Sequence, residues 1–163
     1  MKPLPRRRAR ETALQVLYCL DANPEMSPAA ALQLFQDRFA VEARREADDE
    51  EDDDGDAGGG GETDLPLVEA LVRGVAEHRG RIDERLSQLS RNWRIERIAR
   101  VERNILRMAL FEIEHCPDIP ARVSVNEAVE LAKKFGAADA SAFVNGILDA
   151  ALHAQDRGPP AEE

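Results

Sequence analysis

An all-α fold of about seven helices follows from three features of this 163-residue chain. Apolar residues recur at three- and four-residue spacing, which marks one face of a helix. No segment alternates apolar and polar residues over a useful length, and Ala, Leu, Arg and Glu fill the periodic stretches. The stretch Ile105–Ile113 is apolar almost all the way round, and a helix of that kind must be surrounded by others. The length suits one domain with a sizeable core, and 43% hydrophobic content is ordinary for such a domain.

The first helix is expected over about Arg6–Leu20, with Ala9, Ala13, Val16, Leu17 and Leu20 as its buried stripe. The second begins after Ser27, an N-cap residue followed by Pro28 at the first helical position. Ala31, Leu32, Leu34, Phe35 and Phe39 supply its apolar face. Helices near Asp64–His78 and Arg81–Leu89 follow, with Gly80 expected to separate them. The central helix is expected over Trp93–His115, stopped by Pro117 and Pro120. Ser124 and Glu127 form a capping box for the next helix, flanked by a Val123–Ala128 staple and ended by Gly136. The last helix starts near Asp139 and uses Phe143, Val144, Ile147, Leu148, Ala151 and Leu152. Gly146 within it points to close approach of a neighbouring helix.

The net charge of −10 is unevenly distributed. Residues 42–64 hold twelve acids and two arginines, and removing them leaves twenty basic and twenty acidic residues. That stretch breaks all periodicity, with DDEEDDD followed by GDAGGGG. Its length exceeds the roughly 12–15 residues of an ordered loop. Like-charge repulsion and glycine entropy favour disorder. The expected organisation is one helical domain over 1–155, interrupted at about 43–63 by this insert, with a flexible tail at 156–163. By contrast, the first ten residues carry Lys2, Arg6, Arg7, Arg8 and Arg10 and no acid. An acidic chain with segregated charge remains compatible with a polyanion partner.

Catalytic and metal-binding patterns are missing. His78, His115 and His153 are isolated, and with Cys19 and Cys116 they offer no zinc-ligand spacing. The two cysteines read as reduced, at least partly buried thiols, with a disulfide between them the less favoured alternative. No serine sits in a Gly-x-Ser-x-Gly elbow, and the glycine run lacks the Gly-Lys-Ser/Thr of a phosphate loop. Glu112 and Glu114, two apart, face different sides of a helix. The N-terminus lacks a secretory cleavage site, and no apolar run approaches the ~18 residues of a membrane span. The expectation is a cytoplasmic protein that is no enzyme, with no cofactor, metal or membrane partner. What remains is recognition, because cationic tracks and aromatic platforms together suit single-stranded RNA. For Tyr18 and Phe143, spacing alone favours core packing.

The segments RRRARETALQVLY, ERIARVERNILRMALFEI and VSVNEAVELAKKFGAADASAFVNGILD, in this order and spanning nearly the whole chain, resemble the NusB family of bacterial transcription antitermination factors. The resemblance implies two three-helix bundles packed at a steep angle. It also implies a non-enzymatic adaptor that binds the boxA element of nascent ribosomal RNA together with NusE, a small-subunit ribosomal protein. The pair joins the Nus factors on RNA polymerase and makes elongation resistant to termination. Carried over by position, Lys2, Arg6, Arg7, Arg8 and Arg10 form the RNA arm, and Asp139 and Phe143 lie near the RNA. Family members often have a lysine where this chain has Ala142, and the acidic insert falls outside the family pattern. The resemblance leaves monomer and homodimer both open. Two other readings stand beside it: an RNA-recruiting accessory domain related to rRNA methyltransferases, and a helical adaptor that binds protein alone. For the former, the stretch after the last helix is too short for a cofactor fold, so no methyl transfer is expected. The insert is either a solubilising loop or a competitor that folds over the arm.

Overall fold

The computed structural model describes residues 5–49, 65–91 and 93–156, with side chains over 6–38, 65–91 and 93–155. Its elements are α1 (Pro5–Ala22), α2 (Pro28–Asp49), α3 (Leu65–Leu89), a 3-10 turn (Ile95–Arg97), α4 (Arg100–His115), α5 (Ala121–Phe135) and α6 (Ala140–Asp156). No strand occurs among the described residues. Two compact units divide the chain. One takes in the described residues up to Ala70 and the other starts at Leu71, so α3 contributes to both.

In the first unit α1 packs against α2. The expected stripe of α1 is buried at Ala9, Ala13, Val16 and Leu17, with Leu14 added to it. Ser27 caps α2 as its residue type requires, its Oγ accepting the Ala30 N–H at 3.1 Å. Of the apolar face expected for α2, Ala31 and Leu32 are buried, but Leu34 is exposed. The helix also runs on to Asp49, into the stretch expected to be irregular. The residues Glu42–Ala47 are good helix formers, and their propensity carries the helix to the edge of the acid run. The remainder of the insert (50–64), and the tail from 157, lie outside the described residues.

In the second unit α4 packs against α5 and α6, which also pack on each other. Every residue from Asn104 to Glu112 is buried, as an all-round apolar helix demands. Two charged residues, Arg107 and Glu112, go inside with it. Arg107, whose side chain is 4% exposed, forms a bidentate pair with Asp83 of α3 (Nε–Oδ1 2.7 Å, Nη2–Oδ2 3.0 Å). Its Nη1 donates to Asn104 Oδ1 at 3.3 Å. Arg85 of α3 pairs with Glu114 at 3.0 Å and reaches the Ala151 carbonyl of α6. The Phe111 ring lies directly against Gly74, in the space a Cβ would occupy.

Four further expectations change. The two helices on either side of Gly80 are one, because Gly80 sits in open space within α3 and a mid-helix glycine weakens a helix without ending it. The central helix proper starts at Arg100. Its first two apolar residues, Ile95 and Ile98, belong to the turn before it, where Arg94 and Ile98 are extended (φ −72°, ψ 142° and φ −71°, ψ 129°). α5 starts at Ala121 behind Pro120, so Ser124 is buried in the helix rather than capping it, and Val123 is exposed. Finally, nothing approaches the Cβ position of Gly146, so close helix packing does not explain that glycine.

Candidate nucleic-acid interface

The arginines of α1 open a helix with no acidic residue in its first turn. Cations at that end oppose the macrodipole, each by ~0.3–1 kcal/mol when exposed. Arg6, Arg7 and Arg8 are all exposed there. Arg10 differs: it is 3% exposed and takes part in the first unit's interior. Its spacing already contained the reason, since Arg10, Leu14 and Leu17 follow the i, i+4, i+7 rule for one helix face. Lys2 lies outside the described residues. Tyr18 is 43% exposed, so the core packing its spacing favoured does not hold.

Asp139 and Phe143 belong to the second unit. Asp139 is exposed immediately before α6, and its carbonyl accepts the Phe143 N–H at 3.2 Å. The two residues therefore share the face that opens α6, one turn apart. Ala142, where a lysine was expected from the family pattern, is exposed. Phe143 is half-buried, and its ring stands edge-on to Trp93 with centroids 6.3 Å apart and planes at 73°. Trp93 is 56% exposed. Sequence reading assigned it to the start of a helix, and only its place in a turn reveals its exposure.

The turn that carries Trp93 is held from two sides. Ser90 is buried, and its Oγ lies 2.8 Å from the Leu86 carbonyl and 3.1 Å from that of Trp93. The Trp93 N–H donates to the Ser90 carbonyl at 2.9 Å, and Arg103 donates to the Ile95 carbonyl at 3.3 Å. Beside the indole lies an open groove of about 640 Å³, lined by Ser87, Ser90, Arg91, Arg94, Ile95 and Glu96.

No group of three or more His, Cys, Asp or Glu among the described residues could hold a metal ion. Cys19 and Cys116 form no disulfide and are half-buried. No described helix is long and apolar enough to cross a membrane. The fold and these surfaces define a class, the small all-helical proteins whose chemistry-bearing groups are surface cations and aromatics.

Comparison with known proteins names the family. The NusB family model matches residues 7–153. A transcription antitermination protein NusB of Anaeromyxobacter dehalogenans (strain 2CP-1) is 43% identical over 88% of this chain and 87% of that protein. The structure of T. maritima NusB superposes with a TM-score of 0.68 at 27% identity, covering 91% of this chain and 90% of that one. A crystal structure of antitermination factors NusB and NusE in complex with dsRNA gives a TM-score of 0.69 at 25% identity, over 92% of this chain and 97% of that one. The chain belongs to the NusB family.

Proposed function

We propose that this chain is a transcription antitermination factor, an RNA-binding adaptor that carries out no catalysis. It binds the boxA element of nascent ribosomal RNA together with the ribosomal protein NusE. Through that complex it helps RNA polymerase and the Nus factors resist termination. One observation carries the reading: three consecutive arginines, Arg6, Arg7 and Arg8, open α1 exposed in a chain of the NusB family. The macrodipole disfavours them there, because its positive end repels cations. A string of phosphates reverses that balance, since both the guanidinium groups and the helix N-terminus attract anions.

In this reading Arg6, Arg7 and Arg8, with Lys2 ahead of them, contact phosphates and position the RNA without reading its bases. Arg10 has the burial of a structural residue and drops out of the phosphate-contacting set. Phe143 offers a ring for base stacking, and the Asp139 carboxylate is an acceptor for a base amino group. The dsRNA–NusE complex of a similar protein supports both partners.

The test measures binding of NusE and of a boxA oligoribonucleotide to this chain, separately and together. RNA should bind more tightly to the mixture than to either protein, and by linkage NusE should bind more tightly when RNA is present. A mixture that captures RNA no better than NusE alone overturns the proposal. NusE capture without any RNA effect, insensitive to salt, would instead identify an adaptor that binds protein alone.

A further inference from the structure

We infer that the turn carrying Trp93 is a second contact surface for single-stranded RNA, with the indole stacking on a base and Arg91 and Arg94 holding the adjoining phosphates. The inference rests on the RNA-binding reading above and extends it to residues outside the arm and the Phe143 face.

Three observations converge on this turn. A tryptophan 56% exposed leaves a large apolar ring in water, although tryptophan is usually well buried. Its backbone is nonetheless held by Ser90 at both its N–H and its carbonyl, and Arg103 fastens the Ile95 carbonyl two residues on, so the ring is presented from a fixed support. A platform of this kind loses little freedom when a base stacks on it. Phe143 stands edge-on to the indole at 6.3 Å and supports it, leaving the exposed part of the indole to solvent.

Charge selects the occupant. Arg91, Arg94, Arg97 and Arg100 are exposed across ten residues, with Glu96 as the exposed acid among them. No ion pair among the described residues engages Arg91, Arg94 or Arg97. The groove beside the ring, about 640 Å³, falls within the ~300–1,000 Å³ of small-ligand sites and is lined mainly by polar and charged groups. A protein-docking hot spot would be expected to have an apolar centre. Here a single aliphatic side chain, Ile95, lines the groove, and arginines flank the aromatic ring. Aromatic stacking beside a cationic groove is the combination that binds single strands without strong sequence preference.

Trp93 is the one tryptophan of the chain, so its fluorescence reports on this turn alone. The experiment titrates the full chain with an unlabelled boxA oligoribonucleotide while following tryptophan emission, and separately measures affinity from the anisotropy of an end-labelled copy. Saturable quenching with the same midpoint as the anisotropy curve is expected. W93A should weaken binding about tenfold and W93F should restore most of it, in line with the loss of one stacked base. The double variant R91A/R94A should lower the salt slope by about 1.4, at ~0.7 per phosphate contact on a single strand. This variant and the quenching keep the inference testable should W93A lose helix content. RNA bound without quenching, with unchanged affinity in W93A and an unchanged slope in R91A/R94A, overturns the inference and leaves the RNA-binding reading standing. Absence of RNA binding by the wild-type chain removes both. An emission change produced by NusE and not by RNA also overturns it, and assigns the turn to protein.

Discussion

Arg107 sits on the buried helix α4, and Asp83 meets its guanidinium with both carboxylate oxygens. Removing one member of a buried pair is far worse than removing both, because the remaining charge stays desolvated. Asp83→Ala should therefore destabilise the protein by about 3 kcal/mol, measured by denaturant unfolding. A loss below about 1 kcal/mol would place the pair among ordinary surface contacts. Two glycines of α3 give a contrast within one helix. Gly74→Ala must push Phe111 aside and should destabilise by about 1–3 kcal/mol. Gly80→Ala enters open space and should stabilise by up to about 1 kcal/mol, visible as a rise in Tm. Sequence pointed to the wrong glycine of the two. Gly80 looked like a break because it separates two periodic runs, whereas the role of Gly74 depends on Phe111, 37 residues away. Arg10 was legible in retrospect, because it shares a helix face with Leu14 and Leu17, but its place in a run of arginines hid that spacing.

At the scale of elements, local signals were read well where nothing distant competed with them. Ser27 and Pro28 mark the start of α2, and the Ser27 hydroxyl does accept a first-turn N–H. Ser124 carries the same kind of signal and fails. Ala121, Arg122 and Val123 are free to join the helix, and Pro120 is the residue that cannot be preceded by further turns. Ser124 then falls on the buried face with Val125 and Ala128, its hydroxyl without a hydrogen-bond partner among the described residues. The two serines should behave differently under the same substitution. Ser27→Ala should cost about 1 kcal/mol, as loss of an N-cap does. Ser124→Ala should be neutral or stabilising in thermal unfolding, because it removes an unsatisfied buried hydroxyl. A cost near 1 kcal/mol at Ser124 would restore it as a cap. The central helix illustrates a limit of periodicity. Ile95 and Ile98 continue the spacing of Val101 and Ile105, but Ile98 is buried at the end of a turn and Ile95 is half-buried within it, and the pattern does not separate turn from helix.

For the molecule as a whole, the helical class and the family were both legible, one from periodicity and the other from motif order along the chain. The candidate interface was legible in part. The arginine run announces itself by composition, because charge of one sign over ten residues needs no structure to be seen. The Trp93 surface does not, because exposure of an aromatic depends on the turn that presents it and on the packing beneath. Two units each carry one of these surfaces, α1 in the first and the Trp93–Phe143 region in the second. The central claim is that exposed arginines of α1 hold RNA phosphates. Its most direct test is the affinity for boxA RNA as a function of salt, for the wild-type chain and for R6A/R7A/R8A. The account predicts much weaker binding by the variant and a slope of log affinity against log salt smaller by about 2, the sum of three single-strand phosphate contacts. Unchanged affinity and slope in a variant that keeps its helical content would contradict it.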